Sequence, residues 1–452
     1  MDVIVQIFLF SIGLVIFLLS FLFAIPSFFR HEYRAGLFGL AGAFCGAALL
    51  AVSFLSMPYK TILAELLLGL GIAGGIIYSL PFGSVARKNE RPTIQVDERT
   101  IMFARNRLQP GTPRYEKYYI DHPEHKGIDD AIRKLPGLLS LKTPMADPLA
   151  FAATDAGFFL AESLKDAVTG PVASKTQIIS SETASNYLKH LANYFGAHKS
   201  GIAEVKDYQV YSHIGRGTGV YGEPIKLDHP FVIVFTFEMA VEMVCTAPRA
   251  QESMETARQY SEAAQTAVQV AAWIRAMGYE ARAHIDGNYR LVLPLAARDA
   301  GLGEIGRMGL LMTPDLGPRV RLSAVSTNMP LIPDQPGDDP NVLDFCTICK
   351  KCAETCPSQA ISLDDRQEFD GALRWRIDSG KCFHYWNVIG TDCGRCMMVC
   401  PYSHATDVTH NLMRFTIAHS GTARRLALLM DDWVYLRKPK SRPGPGWTRN
   451  FH

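Results

Sequence analysis

Three long apolar runs open the chain: Val3 to Phe29, Ala35 to Met57 and Ile62 to Phe82. Each is long enough to cross ~30 Å of hydrocarbon as a helix, and their glycines and alanines suit close helix packing. No basic region precedes the first run and no small-residue cleavage site closes it, so three transmembrane helices are predicted rather than a signal peptide. A twin-arginine export motif is also missing before the first run; the one Arg-Arg pair is Arg424-Arg425. Arg30 and Arg34 follow the first run, and Arg87, Lys88 and Arg91 follow the third, against Asp2 at the amino terminus and Lys60 in the second loop. The positive-inside rule therefore puts everything after about residue 85 on the cytoplasmic side of the inner membrane. The runs contain no histidine, which argues against b-type haem held by histidine.

After residue 90 the pattern changes to that of a soluble mixed domain. His229 to Phe237 reads as a buried strand. A long helix follows from about Gln251 to Met277, with Ala264, Ala267, Val268, Ala271 and Ile274 on one face. Leu291 to Leu295 reads as a further short strand, and the proline-rich stretch Pro330 to Pro340 as a linker. The predicted organisation is three transmembrane helices (1–90), an α/β domain (91–335), a cysteine-rich domain (336–410) and a C-terminal extension (411–452). The extension ends in a basic, Pro/Gly-rich tail from Arg437, which Trp433, Tyr435 and Trp447 are expected to pack back onto the protein.

Composition narrows the classes. A net charge of +2 over 452 residues argues against a nucleic-acid partner. Gly217-Thr-Gly219-Val-Tyr-Gly222 matches the dinucleotide fingerprint, but Glu-Pro-Ile-Lys and a strand follow it where a helix is required, so it reads as a flexible loop. Walker A, HExxH and Asp-x-His-x-x-Gly signatures are missing.

The cysteines carry the chemistry. Eight of the ten fall in two runs, each closed by proline: Cys346, Cys349, Cys352 and Cys356, then Cys382, Cys393, Cys396 and Cys400. In two-cluster ferredoxins the fourth cysteine of each run ligates the other cluster. One [4Fe–4S] cluster is thus assigned to Cys346, Cys349, Cys352 and Cys400, and the other to Cys382, Cys393, Cys396 and Cys356. Zinc sites favour separated pairs without the Cys-Pro closure. Only Cys45 and Cys245 remain, so no disulfide framework exists and a reducing compartment is expected. Clusters carry single electrons, so the large middle domain is expected to hold a second redox centre or a substrate.

The wording around the second run, Lys381-Cys-Phe-His-Tyr-Trp386 and Gly390-Thr-Asp-Cys-Gly-Arg-Cys-Met-Met-Val-Cys-Pro-Tyr-Ser-His404, resembles the corrinoid-dependent reductive dehalogenases. So do Asp97 to Arg105, Pro110 to Tyr119, Ala300 to Pro314 and Gly317 to Arg321. The resemblance implies a membrane α-helical anchor plus an α+β catalytic region, in which a mixed α/β corrinoid-binding domain precedes a ferredoxin-like domain. It implies base-off cobalamin as a cofactor, a small organohalide as substrate, and a quinol, ferredoxin or flavodoxin as electron donor. Tyr260, followed by Ser261, matches the family's proton-donating tyrosine. Arg319 matches its basic partner, with Arg321 as rival, and Asn288 is the candidate donor near the halide. Gly303, Gly306, Arg307, Met308 and Gly309 are the implied corrinoid contacts. Family members commonly pair with a separate three-helix anchor; here the three helices look fused to the chain, in contact with membrane lipid. Two other readings stand beside this one: an epoxyqueuosine-reductase-like enzyme, disfavoured by the charge and the membrane helices, and a membrane electron-transfer protein without corrinoid.

Overall fold

A computed structural model describes residues 2–55, 59–80, 91–336 and 340–448. The predicted span ends Met57 and Phe82, the charges Arg87 and Lys88, and part of the Pro330–Pro340 linker lie outside the described residues. The elements that matter below are α1 (Asp2–Phe29), α2 (Tyr33–Phe54), α3 (Lys60–Ser79), α4 (Pro148–Ser163), α5 (Ser181–Tyr194), β1 (Lys199–Glu204), β2 (Phe231–Glu238), α6 (Ala250–Ala276), β3 (Ala281–His284), α7 (Leu293–Asp299), β4 (Val320–Thr327), α8 (Asn341–Cys349), α9 (Ser379–Ile389), α10 (Val408–His419) and α11 (Gly421–Tyr435). The chain divides into two compact units: Met1–Ala86 with His404–Pro443, and Arg87–Ser403 with Gly444–His452.

Among the described residues of the first unit, three helices are long and apolar enough to cross a membrane. Small residues set the close approach of α1 and α2. A Cβ on Gly46 would lie 2.5 Å from Phe17 N, and one on Gly13 would lie 2.9 Å from Leu50 N. Without a hydrophobic drive between helices in lipid, such backbone contact supplies the packing energy.

The second unit is built on an antiparallel four-stranded sheet of order β1-β2-β4-β3. β2 is a nearly continuous apolar run because both of its faces are covered. Ile233, Phe235 and Phe237 pack with Ala264, Ala267, Ala271 and Ile274 of α6, with Val268 at the margin. Val232 and Val234 pack with Leu293, Ala296 and Ala297 of α7. Alanines let α6 lie close to its neighbours: a Cβ on Gly157 of α4 would come within 2.9 Å of Ala257, and Ser261 Oγ donates to Gly157 O at 2.6 Å.

The run Leu291 to Leu295 is not a strand. Leu291 makes a single bridge to Val210, and the chain turns into α7 with Pro294 in its first turn, a position proline favours because its missing N–H has no partner there anyway. The Gly217–Gly222 segment is loop, with all three fingerprint glycines at positive φ.

His284 gives this unit a pH dependence. Its Nδ1 accepts from Arg290 N at 3.1 Å, so Nε2 carries the proton and donates to Ser326 Oγ at 2.9 Å. Burial, helped by the Arg282 charge, holds its pKa well below the ordinary histidine value. The unfolded chain binds a proton near pH ~6.5 while the folded chain does not. The site's contribution is therefore complete above about pH 6.5 and is lost progressively as the pH falls. The unfolding temperature of solubilised protein should drop between about pH 7 and about pH 5, and His284→Gln should flatten that slope.

Candidate functional site

Two turns present the cysteines. α8 ends at Lys350 with φ 56°, and the next short turn, Lys351–Glu354, carries Cys352. Asp378 caps α9, accepting from Lys381 N at 3.0 Å and fixing the turn that carries Cys382. Cys393 and Gly394 both adopt positive φ, which folds the chain sharply before Cys396. The thiols that act on one another fall in two sets. Cys400 is affected by Cys346, Cys349 and Cys352. Cys396 is affected by Cys382 and Cys356, and Cys393 by Cys396 and Cys382. Cys352 also feels Cys396, so the two sets are neighbours.

This donor set fits iron–sulfur clusters. Burial first, then neighbouring thiols, pushes Cys396 up to about 12 and Cys382 up to about 11. Four thiolates so placed need a bound cation to be stable. Among the described residues, the trio of potential ligand atoms within 4.8 Å of one another is His122, Glu124 and His125.

The glycine-rich block lies against the first cysteine loop. Arg307 is fully buried; its Nε donates to Cys346 O at 3.0 Å and its Nη1 to Ser362 O and Asp364 O, both at 2.8 Å. Its guanidinium sits 4.9 Å from the Trp375 ring centroid. A Cβ on Gly306 would lie 3.4 Å from Cys346 Sγ, one on Gly303 2.2 Å from Met312 O, and one on Gly309 2.3 Å from Ile377. Met308 is buried. Of the five residues taken above as corrinoid contacts, Gly306 and Arg307 lie against the Cys346 loop. The reason is physical: only glycine lets the backbone approach this closely, and a buried guanidinium offsets nearby thiolate charge. The adjoining cavity of about 260 Å³, lined by Gly306, Gly309 and Trp375 among others, is below the ~300–1,000 Å³ of drug-sized ligand sites.

A second cluster of groups forms on α6. Glu252, Thr256 and Tyr260 are spaced four apart and so share one face of the helix. The guanidinium of Arg321, from β4, lies 5.3 Å from the Tyr260 ring centroid. Arg321 Nη2 donates to Thr256 Oγ1 at 2.7 Å and sits 3.7 Å from Asp392 Oδ2. Ser253 Oγ donates to Asp392 Oδ1 at 2.5 Å. Asp392 immediately precedes Cys393, so this network links Tyr260 to the second cysteine set.

Burial pushes the Tyr260 hydroxyl up, Arg321 opposes the rise, and Asp286 and Asp392 add to it. Tyr289 is raised well above its usual value by burial, Asp286 and Tyr260. Burial also raises Tyr211, to about 12. Glu252 is raised well above the usual carboxyl value by burial and Asp392. Burial is the largest influence on these tyrosines, yet Tyr211, Tyr260 and Tyr289 each keep accessible surface.

Two expected members are elsewhere. Arg319 is fully buried, with Nε donating to Ser403 O at 2.8 Å and Nη1 engaging Glu238 Oε1 at 3.1 Å and Met239 O. It ties the end of β2 to the Ser403 turn, and Arg321 is the arginine beside Tyr260. Asn288 is fully buried with its amide used up: Oδ1 accepts from Arg282 Nη2 at 2.7 Å and Nδ2 donates to Lys165 O at 2.9 Å. A Cβ on Gly217 would fall 2.4 Å from Asn288 Oδ1, so Asn288 braces the glycine loop. Asp286, two residues earlier, is the turn residue that acts on Tyr260.

Two polar atoms on β4 are unpartnered. Arg321 Nε and Ser323 Oγ, on the same face of β4, are buried without a hydrogen-bond partner. Buried polar groups are nearly always satisfied, so these two fit a polar molecule such as an amide-rimmed corrinoid.

Comparison with known proteins agrees with this geometry. The 4Fe-4S dicluster domain family matches residues 345–404. The tetrachloroethene reductive dehalogenase of Sulfurospirillum multivorans is 34% identical over 282 residues, covering 55% of this chain and 56% of the relative. That of Dehalobacter restrictus is 35% identical over 234 residues, covering 49% and 42%. Over the segments matched, the chain is similar to reductive dehalogenases. Its fold is theirs too: a solved reductive dehalogenase, described with a mechanism for B12-dependent dehalogenation, superposes with TM-score 0.64 at 25% identity, over 78% of this chain and 49% of that one. The catabolic reductive dehalogenase NpRdhA in complex with 3-bromo-4-hydroxybenzoic acid gives TM-score 0.62 at 25% identity, over 80% and 48%. This chain spans about half the length of the reductive dehalogenases it matches.

Proposed function

We propose that the chain is a membrane-anchored reductive dehalogenase catalysing R–X + 2e⁻ + H⁺ → R–H + X⁻ on a small organohalide. The observation that carries the reading is the Arg321 guanidinium over Tyr260, joined through Asp392 to the second cysteine set. Two [4Fe–4S] clusters on the cysteine sets and a base-off corrinoid beside Tyr260 would supply the reducing electrons and the attack on the halogen. Tyr260 supplies the proton to carbon. Its raised pKa keeps the O–H intact at neutral pH, and Arg321 offsets the phenolate left behind. Thr256 and Asp392 hold Arg321 in place.

Arg30 and Arg34 beside the first span support a cytoplasmic catalytic unit on the inner membrane. The electron donor on this reading is a quinol at the helices, or a soluble ferredoxin or flavodoxin.

Arg321→Leu is expected to lower halide release by about 10²-fold, with Arg321→Lys recovering part of it. Because burial raises Tyr260 above its ordinary value, wild-type turnover should show no alkaline loss from this group between about pH 6 and about pH 9. The reading itself is tested anaerobically with reduced viologen and a panel of halogenated alkenes, alkanes and phenols. One halide released per two viologen radicals oxidised supports it; organohalide-dependent viologen oxidation without halide release refutes it.

A further inference from the structure

Two helices of the first unit, α10 and α11, have their polarity inverted. In α11 two charged side chains, Arg424 and Asp431, point inward. Buried Arg424 donates from Nη1 to Ile417 O at 2.8 Å, and buried Asp431 Oδ1 lies 2.6 Å from His404 Nε2. Leu426, Leu429, Met430 and Trp433 point outward at helical spacing, with Trp433 69% exposed. α10 repeats the pattern with exposed Val408, Leu412 and Phe415. Helices facing water show the opposite arrangement.

The inverted pair is fastened at the ends of the candidate spans. Arg30, just past α1, pairs with Asp407 at 2.7 Å. Arg34, at the start of α2, donates from Nε to Trp433 O at 2.7 Å. Ser420 Oγ donates to Tyr78 O, at the end of α3, also at 2.7 Å. In an up-down-up arrangement these three ends share one side of the membrane, at the boundary of its hydrocarbon. Arg425, within α11, and Lys438 and Lys440, shortly after its end, are exposed. An outward apolar stripe carrying a tryptophan, accompanied by exposed basic residues and continuous with transmembrane ends, suits an interfacial helix.

We infer that α10 and α11 lie in the plane of the membrane interface, their apolar faces in the acyl boundary and these basic residues against anionic lipid headgroups. The inference rests on reading α1–α3 as spans and is independent of the reaction. Anionic headgroups attract such residues within about a Debye length of the surface.

The test uses the full-length protein in nanodiscs of phosphatidylcholine and phosphatidylglycerol. Acyl chains brominated near the headgroup end report lipid contact, and aqueous acrylamide reports exposure to water. The emission lost in Trp433→Phe should fall by at least about twofold with brominated lipid and resist acrylamide. Leu429→Glu should reverse both responses while halide release driven by viologen is kept. Acrylamide quenching of wild-type Trp433 would overturn the inference by placing the face in water. Resistance to both quenchers would overturn it by showing a protein cover, either a second copy or a partner. Extraction of the protein from membranes by alkaline carbonate would instead sink the reading of the spans, and the inference with it.

Discussion

Tyr260→Phe is expected to cut halide release by about 10²- to 10⁴-fold, the usual range for a positioned proton donor, and to leave iron and corrinoid content unchanged. Phenylalanine keeps the ring against Phe158, whose centroid lies 6.1 Å away, and under the Arg321 guanidinium. The exchange therefore removes the acidic proton with little change in packing. A loss below about tenfold would move the proton to another donor, and Tyr289, which shares the influence of Asp286, is the group to examine next.

Cys396→Ala should lower the iron content from about eight to about four per chain and abolish turnover driven by viologen. Cys396 acts with Cys382 and Cys356, so removing it disables one set and leaves Cys346, Cys349, Cys352 and Cys400 intact. The crossed ligation can be read from double variants. Cys356→Ala combined with Cys396→Ala should lose no more iron than either alone. Cys356→Ala combined with Cys346→Ala should lose nearly all of it. Ligation within each run would produce the reverse pattern, and iron and sulfide analysis with EPR of the reduced protein separates the two.

The largest features were legible because each rests on a signal longer than one residue. α1–α3 follow from unbroken apolar runs. α6 was bounded to within a residue by its 3.6-residue apolar period. The cysteine runs declare themselves by spacing. What the sequence concealed was decided by two-residue offsets. Arg319 and Arg321 share one short block, but Arg319 is in the turn entering β4 and is drawn to carbonyls of the Ser403 and Met239 turns. Arg321, inside the strand, is aimed at α6. In the Ile285–Asn288 turn the same offset separates Asp286 from Asn288. The apolar run at Leu291 was too short for periodicity to tell strand from helix, though Pro294 marked a helix start. Glu252 and Thr256 were visible as polar residues four apart ahead of Tyr260, and Asp392 as the neighbour of Cys393; neither pattern carries meaning until β4 brings Arg321 across. The α10–α11 pair went unread for a different reason: its outward apolar face makes sense against lipid and none against water.

The measurement that bears most directly on the central claim is the corrinoid content of anaerobically purified, detergent-solubilised protein, with halide release followed on the same sample. The account predicts about one corrinoid and about eight irons per chain, with halide released in proportion to the corrinoid bound. Eight irons and no corrinoid, even after reconstitution, with no halide released, would contradict it and leave an electron-transfer protein.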